Sequence, residues 1–514
     1  MKRRRFSTRT LPTDNAPIQS YPMDKGILRN VVINLIGLIL PTFVSLVTVP
    51  SYIRLLGVER YGVISLVWTL IGYFSILDLG MSMAAQNHIS KARASNDEDA
   101  CEQVFWSATW LNLATGIIGG LVIYFGAALY TAYFSKVSPG LQHEVYRALP
   151  WLAAAIPLAN VSWVFAGAIN GAERFGIYNA NQTLGTFLFQ LLPLAAAWIM
   201  GPTLQNVLAA AVVARLAAAI LLARSAFNVL GIRHIRAPQF NVAKGLFSFG
   251  GWMLVASLTN TVAESLDRVM LGTGLGARFV TYYAVPQNLV TRMNIVPTAM
   301  LRTLFPRLSA VGRDDADVIM RQSLEFLNGV FTPVALVAIV VLEPFLHVWV
   351  GSEVADAAGP VGRILIVSVW LVGQANLARI LIQSQVHPAA AARLGLFELP
   401  FHALALWYGI AHFGLVGAAV VVAARGLFDY VALLRLSAIH ARPIVLDMLA
   451  HLAFLVGTLW LATLLPSLPM AIAAGALIVG ANVAWSLTMT PALRDLARSL
   501  LARLKLRLNP RNSA

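Results

Sequence analysis

The chain has 514 residues, of which 58% are apolar and only 12% charged, and its mean hydropathy is +0.71; a soluble globular protein would carry about twice that charged fraction. A formal charge of +15 invites a nucleic-acid reading, but most of the Lys and Arg collect in joints on one side of successive apolar runs, the bias that orients membrane proteins. No basic soluble domain is present, so direct nucleic-acid binding is excluded, and the single cysteine, Cys101, leaves no internal disulfide or cysteine metal cluster.

Residues 1–26 open with Met1-Lys2-Arg3-Arg4-Arg5 and stay polar, which predicts a disordered basic cytoplasmic tail rather than a signal peptide. From residue 28 to residue 490 apolar runs recur. Each is about 20 residues long, enough to cross a hydrocarbon core roughly 30 Å thick as a helix. Unpaired backbone groups are too costly in lipid for anything but helix. The prediction is an all-α polytopic membrane protein of about fourteen spans, at 30–50, 62–84, 104–129, 148–169, 179–200, 206–230, 246–267, 279–300, 326–350, 361–383, 394–413, 415–435, 446–466 and 468–490.

These spans divide into an N-lobe (27–230), a cytoplasmic linker (231–245), a C-lobe (246–435) and two appended spans (436–490). Arg54-Leu55-Leu56-Gly57 closes the first span and Arg268-Val269-Met270-Leu271-Gly272 the seventh. That echo favours parallel repeats, a transporter architecture. Residues 491–514 place Leu493, Leu496, Leu500 and Leu504 on one face and Arg494, Arg498 and Lys505 mostly opposite. They predict a basic amphipathic helix on the inner leaflet. Both termini are therefore expected in the cytoplasm.

Polar residues inside such spans are costly unless they face a cavity or another helix. Asn30, Asn34, Ser45 and Thr48 form a stripe in the first span, and Asn179, Thr183, Thr186 and Gln190 one in the fifth. A single stripe of this kind is usually helix packing. The eighth span, with Gln287, Asn288, Thr291, Arg292, Asn294 and Thr298, is too polar to face lipid. The tenth carries Asn376, Arg379 and Gln383 on one face. Both fit the wall of a hydrated chamber.

The intramembrane arginines are Arg215, Arg292, Arg379 and Arg425, and the acids Asp78, Glu264, Asp267, Glu398 and Asp429. Glu264 with Arg268, and Arg425 with Asp429, stand four apart and are expected to pair along one helix. Arg292 and Arg379 have no such neighbour. A guanidinium without a counterion at membrane depth suits a phosphate, which its planar fork binds at two points. Substrate-binding candidates are thus Arg292, Arg379, Arg215 and Arg425 with Asn288, Asn376, Gln383 and Asn34. Asp78, Glu264, Asp267, Arg268, Glu398 and His402 are candidates for gating or coupling, the last two as a protonatable pair one turn apart. Prolines inside the spans, Pro41, Pro157, Pro193, Pro286, Pro297, Pro333 and Pro400, fit a bundle that bends. No metalloprotease, nucleophile-elbow or nucleotide-binding motif occurs. The histidines do not cluster at metal-ligand spacing, and no cofactor is expected.

Several runs resemble bacterial polysaccharide-export flippases. In the N-lobe they are Tyr52-Ile53-Arg54-Leu55-Leu56-Gly57-Val58-Glu59-Arg60-Tyr61-Gly62, Leu77-Asp78-Leu79-Gly80 and Asn170-Gly171-Ala172-Glu173-Arg174-Phe175. In the C-lobe they are Lys244-Gly245-Leu246-Phe247-Ser248-Phe249-Gly250, Ser265-Leu266-Asp267-Arg268-Val269-Met270-Leu271-Gly272 and Leu304-Phe305-Pro306-Arg307-Leu308-Ser309. The similarity spans residues 26–440. Its wider superfamily also holds MATE-type multidrug exporters and lipid II flippases.

The resemblance implies a V-shaped pair of six-helix lobes around a central cavity. It implies translocation of an undecaprenyl-pyrophosphate-linked oligosaccharide across the bacterial inner membrane by alternating access, for O-antigen, capsule or exopolysaccharide synthesis. The expected partners are that lipid-linked substrate, membrane lipids, a coupling ion (H+ or Na+), and a polysaccharide polymerase with its chain-length machinery. Asp267-Arg268 and Asp78 match recurrent positions of the family. A MATE-type cation antiporter and a membrane-embedded glycan polymerase or ligase remain the alternatives. The first calls for an acidic cavity, the second for a large outer loop.

Overall fold

The structure, a computed structural model, describes residues 43–73, 81–95, 97–133, 136–239, 262, 265–385, 388–437, 441–464, 468–490, 493–495 and 498. All regular structure among them is helical. The N-lobe comprises α1 (Phe43–Leu56), α2 (Val58–Tyr73), α3 (Met81–Ala94), α4 (Glu98–Tyr133), α5 (Pro139–Gly171), α6 (Phe175–Ile199) and α7 (Leu204–Leu230). The C-lobe comprises α8 (265–274), α9 (Ala277–Val290), a 3-10 turn (Thr291–Asn294), α10 (Ile295–Ala310), α11 (Arg313–Val350), α12 (Ser352–Gln385) and α13 (Pro388–Ser437), followed by α14 (Ala441–Leu464) and α15 (Leu468–Met489).

Local chemistry sets several helix ends. Asp97 Oδ1 accepts from Ala100 N–H at 2.9 Å at the start of α4, satisfying one of the donors that a helix N-terminus leaves open. Thr203 caps α7, which ends at Gly231 in the left-handed conformation, the usual stop. Large side chains such as Phe125, Trp198 and Leu477 are exposed on the outer faces, as lipid contact requires. Between helices the packing is close: Trp370 is fully buried and donates its indole N–H to Thr332 at 3.0 Å.

Among the described residues nine helices are long and apolar enough to cross a membrane. They cover ten of the expected spans, because α13 is two antiparallel limbs joined at Gly414 (φ 59°). That is the one-residue break expected between 394–413 and 415–435. The other four spans depart from expectation or lie partly outside the described residues. The second, expected at 62–84, is described at 62–73 within α2 and at 81–84 within α3, and the joint expected at 85–103 is helical up to Ala94 and again from Glu98. The eighth is interrupted by the 3-10 turn at Thr291–Asn294, between Pro286 and Pro297, whose missing N–H groups loosen the helical ladder there. The first is described only from residue 43, and most of the seventh, 246–267, lies outside the described residues.

The start of the linker is strapped along α4. Glu102 Oε1 accepts from the backbone N–H groups of Arg233 (2.9 Å) and His234 (3.1 Å). Trp106 and Trp110 donate their indole N–H groups to the carbonyls of His234 and Arg236 at 2.7 and 3.0 Å. Arg236 also bonds Asp99 and Glu102, whose carboxylates raise its pKa above the usual guanidinium value.

The lobes meet at one end. Thr281 Oγ1 donates to the Val58 carbonyl at 2.6 Å, Lys136 Nζ to that of Gly274 at 2.6 Å, and Trp349 Nε1 to that of Leu46 at 2.5 Å. α2 and α9 touch backbone to backbone here. A Cβ on Gly62 would lie 1.9 Å from the Ala277 carbonyl oxygen, so glycine is what permits the approach.

Candidate functional site

Arg268 on α8 reaches across this seam. Its Nε donates to Gln287 Oε1 at 2.7 Å, one Nη to Asn288 Oδ1 at 2.9 Å, and the other to Thr69 Oγ1 on α2. All these acceptors are neutral oxygens. The neighbouring Asp267 is buried and saturated: it accepts from Tyr283 O–H at 2.8 Å, Gln287 Nε2 at 3.0 Å and the Arg268 backbone N–H at 2.7 Å. The carboxylate thus braces the backbone under Arg268 while the guanidinium points to the lobe interface.

Beside it opens a C-lobe cavity of about 470 Å³. Asp267, Arg268 and Gln287 form one wall, Asn376 and Arg379 of α12 a second, and His402, Arg425 and Asp429 of α13 a third. Arg379 is not the free cation that the sequence suggests, because Asp429 Oδ2 lies 3.4 Å from its Nη2. Arg425 bonds Glu398, not Asp429. The α13 hairpin brings Glu398 on the first limb opposite Arg425 on the second, and this cross-limb partner displaces the one along the helix. Glu398 and His402 consequently do not pair, and both ring nitrogens of His402 are buried without a partner among the described residues. Gln383 is exposed and does not line the cavity.

Arg292 and Asn288 line a separate pocket of about 240 Å³ between the lobes, against Thr48, Trp68 and Gln190. Among the described residues no carboxylate pairs with Arg292. Asn288, bonded to Arg268, stands between this pocket and the larger cavity.

Arg215 lies in neither. It faces an N-lobe pocket of about 190 Å³ with Ser162, Trp163, Asn181, Gln182 and Thr186. Its guanidinium sits 4.8 Å over the Phe189 ring, and its Nε has no partner among the described residues. Phe189 and Gln190 divide this pocket from the interlobe one. Asn34, Asp78 and Glu264 lie outside the described residues.

Two features escaped sequence reasoning. Arg363 is buried and pairs with Glu343 at 2.9 Å; Glu343 inside an apolar run was the available signal. Asp447, His451, Asn328 and Asn482 meet where α14 and α15 pack on α11, from segments with no local signature.

The arrangement supplies a polar C-lobe cavity beside an interlobe pocket holding Arg292, suited to an anionic group carrying polar substituents. The family model described as polysaccharide biosynthesis protein matches residues 27–311. The putative O-antigen transporter of Shigella flexneri is 25% identical over 407 residues, covering 79% of this chain and 96% of that one. Among solved structures, the lipid II flippase MurJ in an inward closed conformation aligns with a TM-score of 0.68 at 12% identity, over 91% of this chain and all of its own. An inward-facing MATE multidrug resistance transporter of the MOP superfamily aligns at 0.67 and 13% identity, over 82% and 99%. The fold is therefore that of a MATE-like multi-pass transporter, and the chain belongs to the polysaccharide biosynthesis protein family.

Proposed function

We propose that this protein is a flippase that moves an undecaprenyl-pyrophosphate-linked oligosaccharide across the bacterial inner membrane by alternating access. The observation that carries the reading is Arg268: a guanidinium at the lobe seam, bonded among the described residues to neutral oxygens drawn from both lobes. An arriving pyrophosphate replaces those weak acceptors with charge-assisted two-point bonds, and Arg292 across Asn288 supplies a second positive charge. Asn376 and the ion-paired Arg379 and Arg425 form the polar wall beside the head group. The N-lobe pocket at Arg215, with amides, hydroxyls and the Trp163 ring, has the chemistry to hold a sugar. Because large apolar side chains cover the outside of the bundle, the lipid tail stays in the bilayer while the head group crosses.

The cytoplasmic placement of both termini and the N-lobe, linker and C-lobe divisions belong to this reading. With that topology the sealed end of the bundle, at Gly62 and Ala277, faces the periplasm, and the chain is in an inward-facing state. An ion gradient, H+ or Na+, drives the cycle, and a polymerase with its chain-length machinery receives the product. Of the cavity carboxylates, Asp429 is matched by Arg379 and Asp267 is saturated by hydrogen bonds, which disfavours a cation antiporter. The joint from Tyr133 to Pro139 is too short for the outer domain of a polymerase.

The test is glycan export in cells carrying Arg268→Ala or Arg292→Ala. Each is expected to lose at least about tenfold of export, the loss of one charge-assisted contact, with membrane insertion intact and with partial recovery in Arg268→Lys. Full export by both alanine variants excludes these residues from the mechanism.

A further inference from the structure

Among the described residues, the membrane-depth carboxylates of the C-terminal half are nearly all paired with arginine or saturated by hydrogen bonds. Glu343 pairs with Arg363, Glu398 with Arg425 and Asp429 with Arg379, and Asp267 is saturated by Tyr283, Gln287 and the Arg268 backbone N–H. Asp447 on α14 differs. Its Oδ2 accepts from Asn328 Nδ2 of α11 at 2.7 Å, and its Oδ1 lies 3.6 Å from Nε2 of His451, one turn along the same helix. Among the described side chains no arginine or lysine pairs with it. A lone carboxylate in such a place is costly, so the charge balance of this cluster is its most telling property.

The groups facing it come from every neighbouring helix. α13 brings Tyr430, fully buried, with a hydroxyl that has no partner among the described residues and lies within reach of the Asp447 charge. α15 brings Asn482, fully buried, whose Nδ2 is 3.0 Å from His451 Nδ1. On α11, Arg321 and Glu325 near Asn328 close on each other at 2.9 Å, and Arg313 is bonded to the Ser437 carbonyl at 3.1 Å. α12 meets the far end of α14, where Arg363 bonds the Ala462 carbonyl and Glu343.

The hydrogen bonding fixes a protonation logic. With Asn482 Nδ2 donating to His451 Nδ1, the ring proton sits on Nε2 and points to Asp447. The pair then carries one net negative charge. Adding a proton makes an imidazolium beside a carboxylate, and the net charge falls to zero. His451 Nδ1 now needs an acceptor, and Asn482 Oδ1, which has no partner among the described residues, provides one after a half-turn of its amide. Asn482 serves both states without moving its backbone.

We propose that the Asp447–His451 pair is a proton-binding site, and that the chain loads its coupling ion here rather than on the paired or saturated acids of the C-lobe cavity. The proton comes from water and returns to it, so no other reactant is required. Tyr430 directly follows Asp429, the partner of Arg379 in the cavity wall, so one limb of α13 carries both the neighbour of the proton site and a wall of the cavity. The coupling role rests on the flippase reading; proton binding does not.

Proton uptake by the purified full chain decides the matter, because it needs no glycan. An unbuffered sample is stepped from about pH 8 to about pH 5, the range in which His and perturbed carboxylates titrate, and the protons taken up per chain are counted. Asp447→Asn, which leaves a carbonyl oxygen for Asn328, is expected to take up about one proton fewer than the wild type. Asn482→Asp places a second carboxylate beside His451 and is expected to move uptake to higher pH, so it decides the case even where Asp447→Asn fails to fold. Wild-type uptake by Asp447→Asn, or no shift in Asn482→Asp, overturns the site. In proteoliposomes, glycan flipping by Asp447→Asn is expected to ignore an imposed pH gradient that accelerates the wild type. Retained sensitivity overturns the coupling role, whereas absence of flipping by the wild type itself would count against the flippase reading and leave the uptake result standing.

Discussion

Arg425 and Glu398 bond across the two limbs of α13 with side chains 21% and 6% exposed, so each is the other's main compensation for leaving water. Removing one partner of such a pair strands the other and costs about 3–5 kcal/mol, whereas replacing both is far milder. Arg425→Ala is therefore expected to lower thermal stability sharply, and Arg425→Ala with Glu398→Gln to regain most of the loss. Thermal melts of the purified variants check this; equal melting of the single and double variants would mean that the pair is not coupled. The residue types at this site were legible from sequence because a charge inside an apolar run is conspicuous. Their partners were not. Spacing of four residues suggested Arg425 with Asp429, but an i,i+4 contact along a helix is weak, and the hairpin offers Arg425 a carboxylate from the facing limb. Asp429 in turn meets Arg379 of α12. What remained readable at residue scale was the absence of any acidic neighbour for Arg292, which the structure places in the interlobe pocket.

At the scale of elements, α13 shows what a single backbone position contributes. Gly414 has φ 59° and ψ −136°, a region open to glycine and costly for other residues by about 1–3 kcal/mol. The two limbs it joins pack closely enough that a Cβ on Gly417 would fall 2.0 Å from the Gly409 carbonyl oxygen. Gly414→Ala is expected to reduce stability by about that 1–3 kcal/mol while leaving the fold intact. Gly417→Val is expected to prise the limbs apart and abolish folded yield in detergent, measured by size-exclusion chromatography. A Gly417→Val protein that elutes and melts like the wild type would show that the limbs are not in contact. Apolar length alone located both limbs, as it located α4 to α7, α11, α12, α14 and α15. It failed at the eighth span, where residues around a 3-10 turn keep a spanning hydropathy although the backbone changes. Hydropathy averages over about 20 residues, and it cannot register a break of four.

The molecule as a whole is closed at the end where α2 meets α9, and opening that end is the step that would present a bound head group to the far side. The closure depends on backbone proximity at Gly62 and Ala277 and on Thr281 bonding the Val58 carbonyl, while Arg268 ties the lobes farther in through Thr69. A side chain at position 62 has no room in the closed state and ample room once the lobes part, so Gly62→Leu should shift the population toward the opposite opening, in proportion to the differential strain between the two states. The shift can be read with one reporter. Cys101 is the only cysteine and is buried, so a Cys101→Ser, Thr281→Cys background carries a single thiol at a fully buried seam position. A membrane-impermeant maleimide added from the periplasmic side is expected to label that thiol slowly in the background and several-fold faster when Gly62→Leu is added, because a wedge that disfavours closure exposes the seam. Glycan export should fall in parallel, since a protein held open on one side cannot complete the cycle. Equal labelling with and without the wedge would show that the α2–α9 seam is not the moving gate, and the alternation of access would then have to occur elsewhere in the bundle.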